Sequence, residues 1–259
     1  MVSNKTEHIS VYIIAYNEEE KIAAAINSVL WADEVIVADS RSSDRTVVIA
    51  EALGARVVQI PFNGFGKLRN DAVKACSHSW IFSLDSDERC TDEARAEIQM
   101  IINSPNAADV YYIPRQNYFL GRRIRHCGWY PDYRQPQLFR SGALLYSEED
   151  EVHEGFEIKG TTGYLQQAIW QIPFRNLSEV VAKGNRYSTL GAKKLARNGK
   201  QGSMMQALMH GLGAFFRIYV LKLGFLDGWA GFIISLGNFE GTFYRYAKLA
   251  EQQMKIKER

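Results

Sequence analysis

Ile9-Ser10-Val11-Tyr12-Ile13-Ile14-Ala15-Tyr16-Asn17-Glu18-Glu19-Glu20 decides how the rest of the chain is read. Its first seven residues, apolar and rich in branched side chains, predict a strand, and the three glutamates stand where a helix N-terminus favours negative charge. Ile22, Ala25, Ile26, Val29 and Leu30 follow at i, i+3, i+4, i+7 and i+8, one face of a helix. Working outward, the alternation repeats. Strands are predicted over residues 34–38, 56–60 and 80–84, and helices over 44–53 (closed by Gly54), 67–75 and 91–103, the last ending before Pro105. Strands and helices in turn mean β-α-β units around a mostly parallel sheet, an α/β fold.

Beyond Asp109 the helical pattern fades into aromatic and glycine-rich stretches, read as two or more strands with long functional loops. After Pro173 helices return, with many glycines and basic residues. The expected organisation is a catalytic domain over 1–175, divided into halves over 1–105 and 106–175, followed by a helical region over 176–259.

A chain of 259 residues accommodates such a domain with its appendage. The formal net charge of +2 gives no general reason to invoke nucleic acid. Cys76, Cys90 and Cys127 form no Cys-x-x-Cys pair, so a reducing compartment is the simplest reading. Residues 1–10 are polar where a signal peptide needs an apolar run, and a cytoplasmic location is expected.

Three motifs end predicted strands: Ala15-Tyr16-Asn17-Glu18, Asp39-Ser40-Arg41-Ser42-Ser43-Asp44, and Asp85-Ser86-Asp87-Glu88. Ligands of open α/β sheets sit at the carboxyl ends of strands, so all three can face one crevice. Alternation along an extended strand would point Asp85 and Asp87 to the same side, where a hard divalent cation, Mg²⁺ or Mn²⁺, would relieve their repulsion. The plainer reading is a turn in which Asp87 or Glu88 caps the backbone. The Asp39 cluster suits a nucleobase and ribose, and also a helix start capped by Ser42, Ser43 or Asp44.

Together these residues resemble the inverting glycosyltransferases of family 2, which have the Rossmann-like GT-A fold. The resemblance implies that Ala15, Asn17, Glu18 and Asp39 hold the nucleotide, that Asp85 lies against ribose and diphosphate with Ser86 beside it, and that Asp87 binds the metal. Relatives usually carry Gly at the place of Arg41 and Thr at the place of Ser43. Gly64-Phe65-Gly66-Lys67-Leu68-Arg69-Asn70 is similar to the family segment in which a basic residue, here Lys67 or Arg69, approaches the donor; a solvated basic helix face is the alternative.

An enzyme of this kind needs a carboxylate to deprotonate the acceptor hydroxyl. Ser147-Glu148-Glu149-Asp150-Glu151-Val152-His153-Glu154 supplies candidates, and its likeness to a family Val-His-Glu favours Glu154 over Glu149 and Asp150 as base, with His153 as a metal or diphosphate ligand. The alternative is an acidic surface loop. Residues 111–140 interleave aromatics with arginines, and Arg122, Arg125, Trp129 and Tyr130 are the candidates for gripping an anionic carbohydrate acceptor.

In the tail, a helix over 178–198 would gather Lys183, Arg186, Lys193, Lys194 and Arg197 within roughly a 100° arc, a face suited to anionic lipid headgroups. The apolar runs over 207–216 and 228–239 are each shorter than the roughly 18–20 residues that span a bilayer, so helices lying in the membrane interface are expected. The stretch over 216–228, followed by Gly231-Phe232, is similar to the C-terminal pattern of the bacterial lipopolysaccharide inner-core β-1,4-glucosyltransferase group. That likeness implies UDP-glucose as donor, a heptose of a lipid-anchored, phosphate-rich glycolipid as acceptor, and a peripheral place on the inner face of the inner membrane, with no nucleic-acid partner. The rivals are a transferase of the same fold acting on polyprenyl phosphate, which needs no base, and a non-enzymatic module binding nucleotide sugar or RNA.

Overall fold

A strand buried on both faces reads as a continuous apolar run, and the central strands of this chain are of that kind. The computed structural model describes residues 7–133, 135–148 and 155–257. The chain divides into two compact units, Met1–Gln116 with Asp132–Gln171, and Asn117–Pro131 with Ile172–Arg259.

In the first unit the elements run β1 (Ile9–Ala15), α1 (Ile22–Asn27), β2 (Glu34–Asp39), α2 (Thr46–Ala52), β3 (Arg56–Gln59), α3 (Phe65–Ala75), β4 (Trp80–Asp85), β5 (Glu88–Arg89), α4 (Asp92–Ile102) and β6 (Val110–Tyr112). β7 (Arg115–Phe119) leads into the second unit, where β8 (Arg122–Arg123) follows. The chain returns with β9 (Pro136–Arg140), β10 (Leu144–Tyr146), β11 (Phe156–Ile158), β12 (Thr162–Tyr164) and β13 (Ile169–Gln171). Seven strands make one sheet in the order β12-β6-β9-β4-β1-β2-β3. β3, β2, β1 and β4 are parallel, whereas β9 is antiparallel to both β4 and β6. The fold is the mostly parallel, helix-flanked α/β architecture expected of a GT-A domain.

Side chains alternate across a strand, and β1 distributes them accordingly. Ile9, Val11, Ile13 and Ala15 join Ile22, Ile26, Ala94 and Ile98 in one core layer, while Tyr12 joins Leu68, Ala72, Phe139 and Tyr146 in the other. Thr91 caps α4 by accepting a hydrogen bond from Ala94 N at 3.1 Å. The three glutamates, by contrast, lie ahead of α1 rather than in its first turn, because Lys21 N and Ile22 N both turn back onto Glu18 O before the helix begins.

Glu34 fastens the far end of the sheet. It accepts hydrogen bonds from Ser10 Oγ (2.6 Å), Arg56 Nη2 (2.7 Å), Ser77 N (2.9 Å) and Ser77 Oγ (2.9 Å). Burial pushes its pKa up, but these donors outweigh burial and hold it down at about 2. A carboxylate depressed in the folded state contributes stability that is present above the unfolded pKa, near 4.5, and is lost as pH falls toward 2. The contribution is about 2–3 kcal/mol. Urea titrations at pH 6 and pH 3 are expected to differ less for Glu34→Gln than for the native chain by this amount; identical pH slopes would refute the assignment.

The second unit holds α5 (Leu177–Arg197), α6 (Met204–Phe216) and α7 (Gly228–Lys257). α5 and α6 both pack on α7, and Lys248 Nζ on α7 donates to Asn185 O, Ser188 Oγ and Thr189 Oγ1 on α5. A π-helical turn, Arg217–Leu221, prolongs α6, so Met204–Leu221 is an 18-residue helix apolar enough by length and composition to cross a membrane. This corrects the expectation of runs too short to span, since Arg217 does not break the helix.

Candidate active site

β1, β2 and β4 are neighbours pointing the same way, so their carboxyl ends share one rim. The register sets Ala15 opposite Asp39 and Ile14 opposite Asp85, on strands about 4.8 Å apart. β2 and β4 flank β1 on opposite sides, which makes β1 the point where the winding reverses and where open α/β sheets take ligands. Three segments distant in sequence therefore meet at one edge, as the sequence predicts.

The loops after β1 and β2 are stitched together. Asn17 N donates to Ser42 Oγ (2.8 Å), Glu18 N to Thr46 Oγ1 (2.8 Å), Glu19 N to Asp44 Oδ2 (3.1 Å), and in return Ser43 N donates to Asn17 Oδ1 (2.8 Å) and Arg45 N to Glu19 Oε2 (3.0 Å). The Glu18 carboxylate lies 3.5 Å from Lys21 Nζ. Arg41 sits at φ +64°, the left-handed region that glycine enters freely, so this arginine takes a glycine-like backbone and leaves its side chain exposed. Asp39 is fully buried, accepting from Ser42 N (2.9 Å), Ser42 Oγ and Gln59 Nε2 (2.9 Å). Beside it the buried Ser40 hydroxyl has no hydrogen-bond partner among the described residues, an orphan of the kind a ligand satisfies.

β4 ends at Asp85, and Ser86 and Asp87 form a turn. The expectation that Asp85 and Asp87 alternate along one extended strand is corrected by this turn, which is the plainer of the two sequence readings. Glu88 closes it, accepting from Asp85 N at 2.9 Å. Fully buried, Glu88 also accepts from Arg115 Nε and from Gln137 Nε2 at 2.8 Å. Burial, with the charges of Asp85 and Asp87, pushes the Glu88 pKa up to about 7 against the downward pull of Arg115. Arg115 in turn is raised, its burial outweighed by the Glu88 and Asp85 carboxylates.

α3 serves the same rim. Arg69, 3% exposed, donates through Nη2 to Asp85 (2.9 Å) and through Nη1 to Ser83 Oγ (3.0 Å), so it grips the carboxylate rather than lying on a solvated face. Lys67 instead reaches Asp71 at 3.2 Å along the helix. Asn70 clasps Tyr146, donating to its carbonyl (2.9 Å) and accepting from its N–H (3.0 Å), and donates to Glu148 Oε1 (3.1 Å). A Cβ on Gly66 would stand 1.8 Å from Ser147 O, so only glycine lets the helix approach there. α3 thus anchors the entrance to the acidic segment. Glu149, Asp150 and Glu154, the candidate bases, and His153 lie outside the described residues.

Of the acceptor candidates, Arg122 and Arg125 are exposed in the second unit, as is Tyr130, whose bond to Pro131 is cis. Trp129 is half-buried with its ring 6.1 Å from Phe119.

No group of three or more His, Cys, Asp or Glu among the described residues could hold a metal ion by itself. Asp85 and Asp87 offer only hard oxygen donors, the kind that suit a divalent cation such as Mg²⁺ or Mn²⁺. Sequence reasoning missed Gln137, Arg115 and the partners of Glu88, as well as the Asn70 clasp; the signal available was polar residues inside predicted strands.

Residues 10–172 match the domain described as Glycosyl transferase family 2. An uncharacterized glycosyltransferase of Rickettsia felis is 32% identical over 270 residues, covering 97% of this chain and 92% of that protein. The lipopolysaccharide core biosynthesis glycosyltransferase LpsC of Rhizobium meliloti is 26% identical over 255 residues, covering 94% of this chain and 92% of its own. The crystal structure of S. aureus TarS residues 1–349 aligns with 96% of this chain and 91% of that one at a TM-score of 0.51 and 17% identity, a likeness of fold.

Proposed function

The chain belongs to glycosyl transferase family 2 and is a glycosyltransferase, and from that premise we propose that it moves glucose from UDP-glucose, with inversion, to a heptose hydroxyl of a lipid-anchored lipopolysaccharide core oligosaccharide. The observation that carries the donor half is the meeting of Ala15, Asp39 and Asp85 at the winding-reversal point of the sheet. The acceptor half is supported by the relatedness to LpsC, whose name places it in lipopolysaccharide core biosynthesis, and by the arginines of residues 117–131. Work on such an acceptor belongs at the inner face of the inner membrane, with the protein peripheral there.

In this reading Asp39 and the Ser40 hydroxyl receive the base and ribose, with Ala15, Asn17 and Glu18 beside them. Asp85, held by Arg69, lies against ribose and diphosphate next to Ser86, and Lys67 approaches from α3. Asp87, with His153, would hold Mg²⁺ or Mn²⁺, which offsets the charge developing on the departing diphosphate. Glu154, or else Glu149 or Asp150, takes the proton of the acceptor hydroxyl, whose oxygen bonds to the anomeric carbon as the bond to UDP breaks and its electron pair leaves with UDP. Arg122 and Arg125 pair with acceptor phosphates, and Trp129 and Tyr130 stack on its sugars.

Calorimetric titration of UDP-glucose, UDP-galactose and GDP-mannose, with and without Mn²⁺, tests the donor. UDP-glucose is expected to bind tightest and at least about tenfold more tightly with the cation. Tighter binding of another sugar nucleotide would reassign the donor, and no binding of any would remove it.

A further inference from the structure

Polar and apolar surfaces are distributed unusually in the second unit. Residues 117–131 and 175–239 contain twelve Lys and Arg but two acids, Glu179 and Asp227, although the whole chain is only +2. Glu179 is paired with Arg175, and Asp227 is buried. Lys183, Arg186, Lys193, Lys194 and Arg197 of α5 are all exposed.

The apolar side chains are exposed too. On α6, Met205, Leu208, Met209, Leu212 and Phe216 recur at i, i+3, i+4, i+7 and i+11 and so share one side, and each is more than two-fifths exposed. The opposite side is covered: Ala207 and Gly211 are buried, a Cβ on Gly211 would meet the Phe239 ring of α7 at 3.0 Å, and His210 stacks on Tyr246 at 4.3 Å. Only 11% of the helix Met204–Leu221 is buried. The exposed series continues through Leu221, Leu223, Phe225, Leu226 and Trp229. Monomeric proteins rarely leave so much contiguous apolar surface uncovered unless it binds something.

Asp227 joins this turn to the arginine loop. Its carboxylate accepts from Arg125 N (3.1 Å), His126 N (2.9 Å) and His126 Nδ1 (3.2 Å), and Cys127 N donates to Lys222 O (2.9 Å). The Arg122 guanidinium stands 3.6 Å from where a Gly228 Cβ would be. Arg122, Arg123 and Arg125, all exposed, are thereby mounted beside Leu223–Trp229.

We propose that this face is a docking surface for an anionic lipid bilayer: the side chains from Met205 to Trp229 enter the interface between headgroups and acyl chains, and Asp227 is the positioning residue that fixes the loop of residues 122–127 there, with Arg123 at the headgroup phosphates and Arg122 and Arg125 left for the phosphates of the lipid-anchored acceptor. The surface lies on the bilayer rather than crossing it, because α7 covers the other side of α6. This rests on the lipid-anchored acceptor proposed above and identifies the surface that brings the enzyme to it. Excess cation selects anionic lipid over a second copy of the chain, which would bring the same charge.

The test is co-sedimentation of the full chain with phosphatidylcholine vesicles with and without 30% phosphatidylglycerol, by the side of calorimetric donor binding. The native chain is expected to partition at least about tenfold more strongly onto the anionic vesicles, and to lose that preference in 1 M salt. The double variant Phe225→Glu, Leu226→Glu is expected to lose about tenfold or more in partitioning with an unchanged melting curve and unchanged donor binding. Asp227→Asn is expected to lose the anionic preference while keeping its binding to neutral vesicles. Failure of the native chain to bind anionic vesicles, or unaltered binding by the Glu variant, would overturn the proposal even where donor binding stands. So would a native dimer that the Glu variant dissolves, or retention of the native chain in membranes after alkaline carbonate extraction. Equal loss by Asp227→Asn on both vesicle types would overturn its positioning role.

Discussion

Asp87→Ala is expected to cut sugar transfer about 10²–10⁴-fold, a rise of about 3–5 kcal/mol in the barrier, while leaving the fold intact. Asp87 is half-buried in a turn whose backbone is fixed by others, so its truncation removes a charge without opening the core. Donor binding with Mn²⁺ should fall toward the level measured without it, because Asp85, engaged with Arg69, leaves the pair of carboxylates incomplete. Asp87→Asn should lie between, keeping one oxygen and losing the charge. Initial rates against Mn²⁺ concentration separate these outcomes; a variant that turns over at the native rate would end the role of Asp87.

Arg115→Met is expected to be strongly destabilising, by up to about 3–5 kcal/mol above pH 7 and less below it, because the buried Glu88 loses its countercharge and is neutralised only by taking up a proton. A loss of that size is a large fraction of the 5–15 kcal/mol by which domains are typically stable. Adding Glu88→Gln should recover most of it, since the amide oxygen still accepts from Asp85 N and Gln137 Nε2 and no charge is left behind. Urea denaturation of the single and double variants measures both effects; additivity of the two substitutions would mean that the pair does not act as a unit.

The half of the fold that was legible is the half built from local regularities. β1 begins and ends at the predicted residues, and β2, β3 and β4 begin where predicted, because parallel central strands are unbroken apolar runs. α4 follows from its Thr91 cap and the Ile98 and Ile102 spacing. Legibility fails where distance in sequence takes over. β6 to β13 are two to five residues long, too short for a period to declare itself, and β6, β9, β12 and β13 find partners far off in the chain. The Glu88 network joins residues 27 and 49 positions apart, so nothing local distinguishes Glu88 from a turn-capping acid. Likewise Arg217 reads as an interruption, although a wider helical turn carries the chain past it. At the rim, the three motifs were visible because each ends a strand; the Asp85-Ser86-Asp87 turn stood as one of two readings, because the strand pattern gives no signal of where extension stops.

Arg69 and Asn70 are consecutive residues on α3, and one holds Asp85 while the other holds the strand leading to the acidic segment. A shift of α3 therefore reaches Asp85 and Tyr146 together. If Asp85 and the candidate bases have the proposed roles, new specificities should arise through paired substitutions flanking this helix, and single exchanges there should disturb both kinetic constants at once.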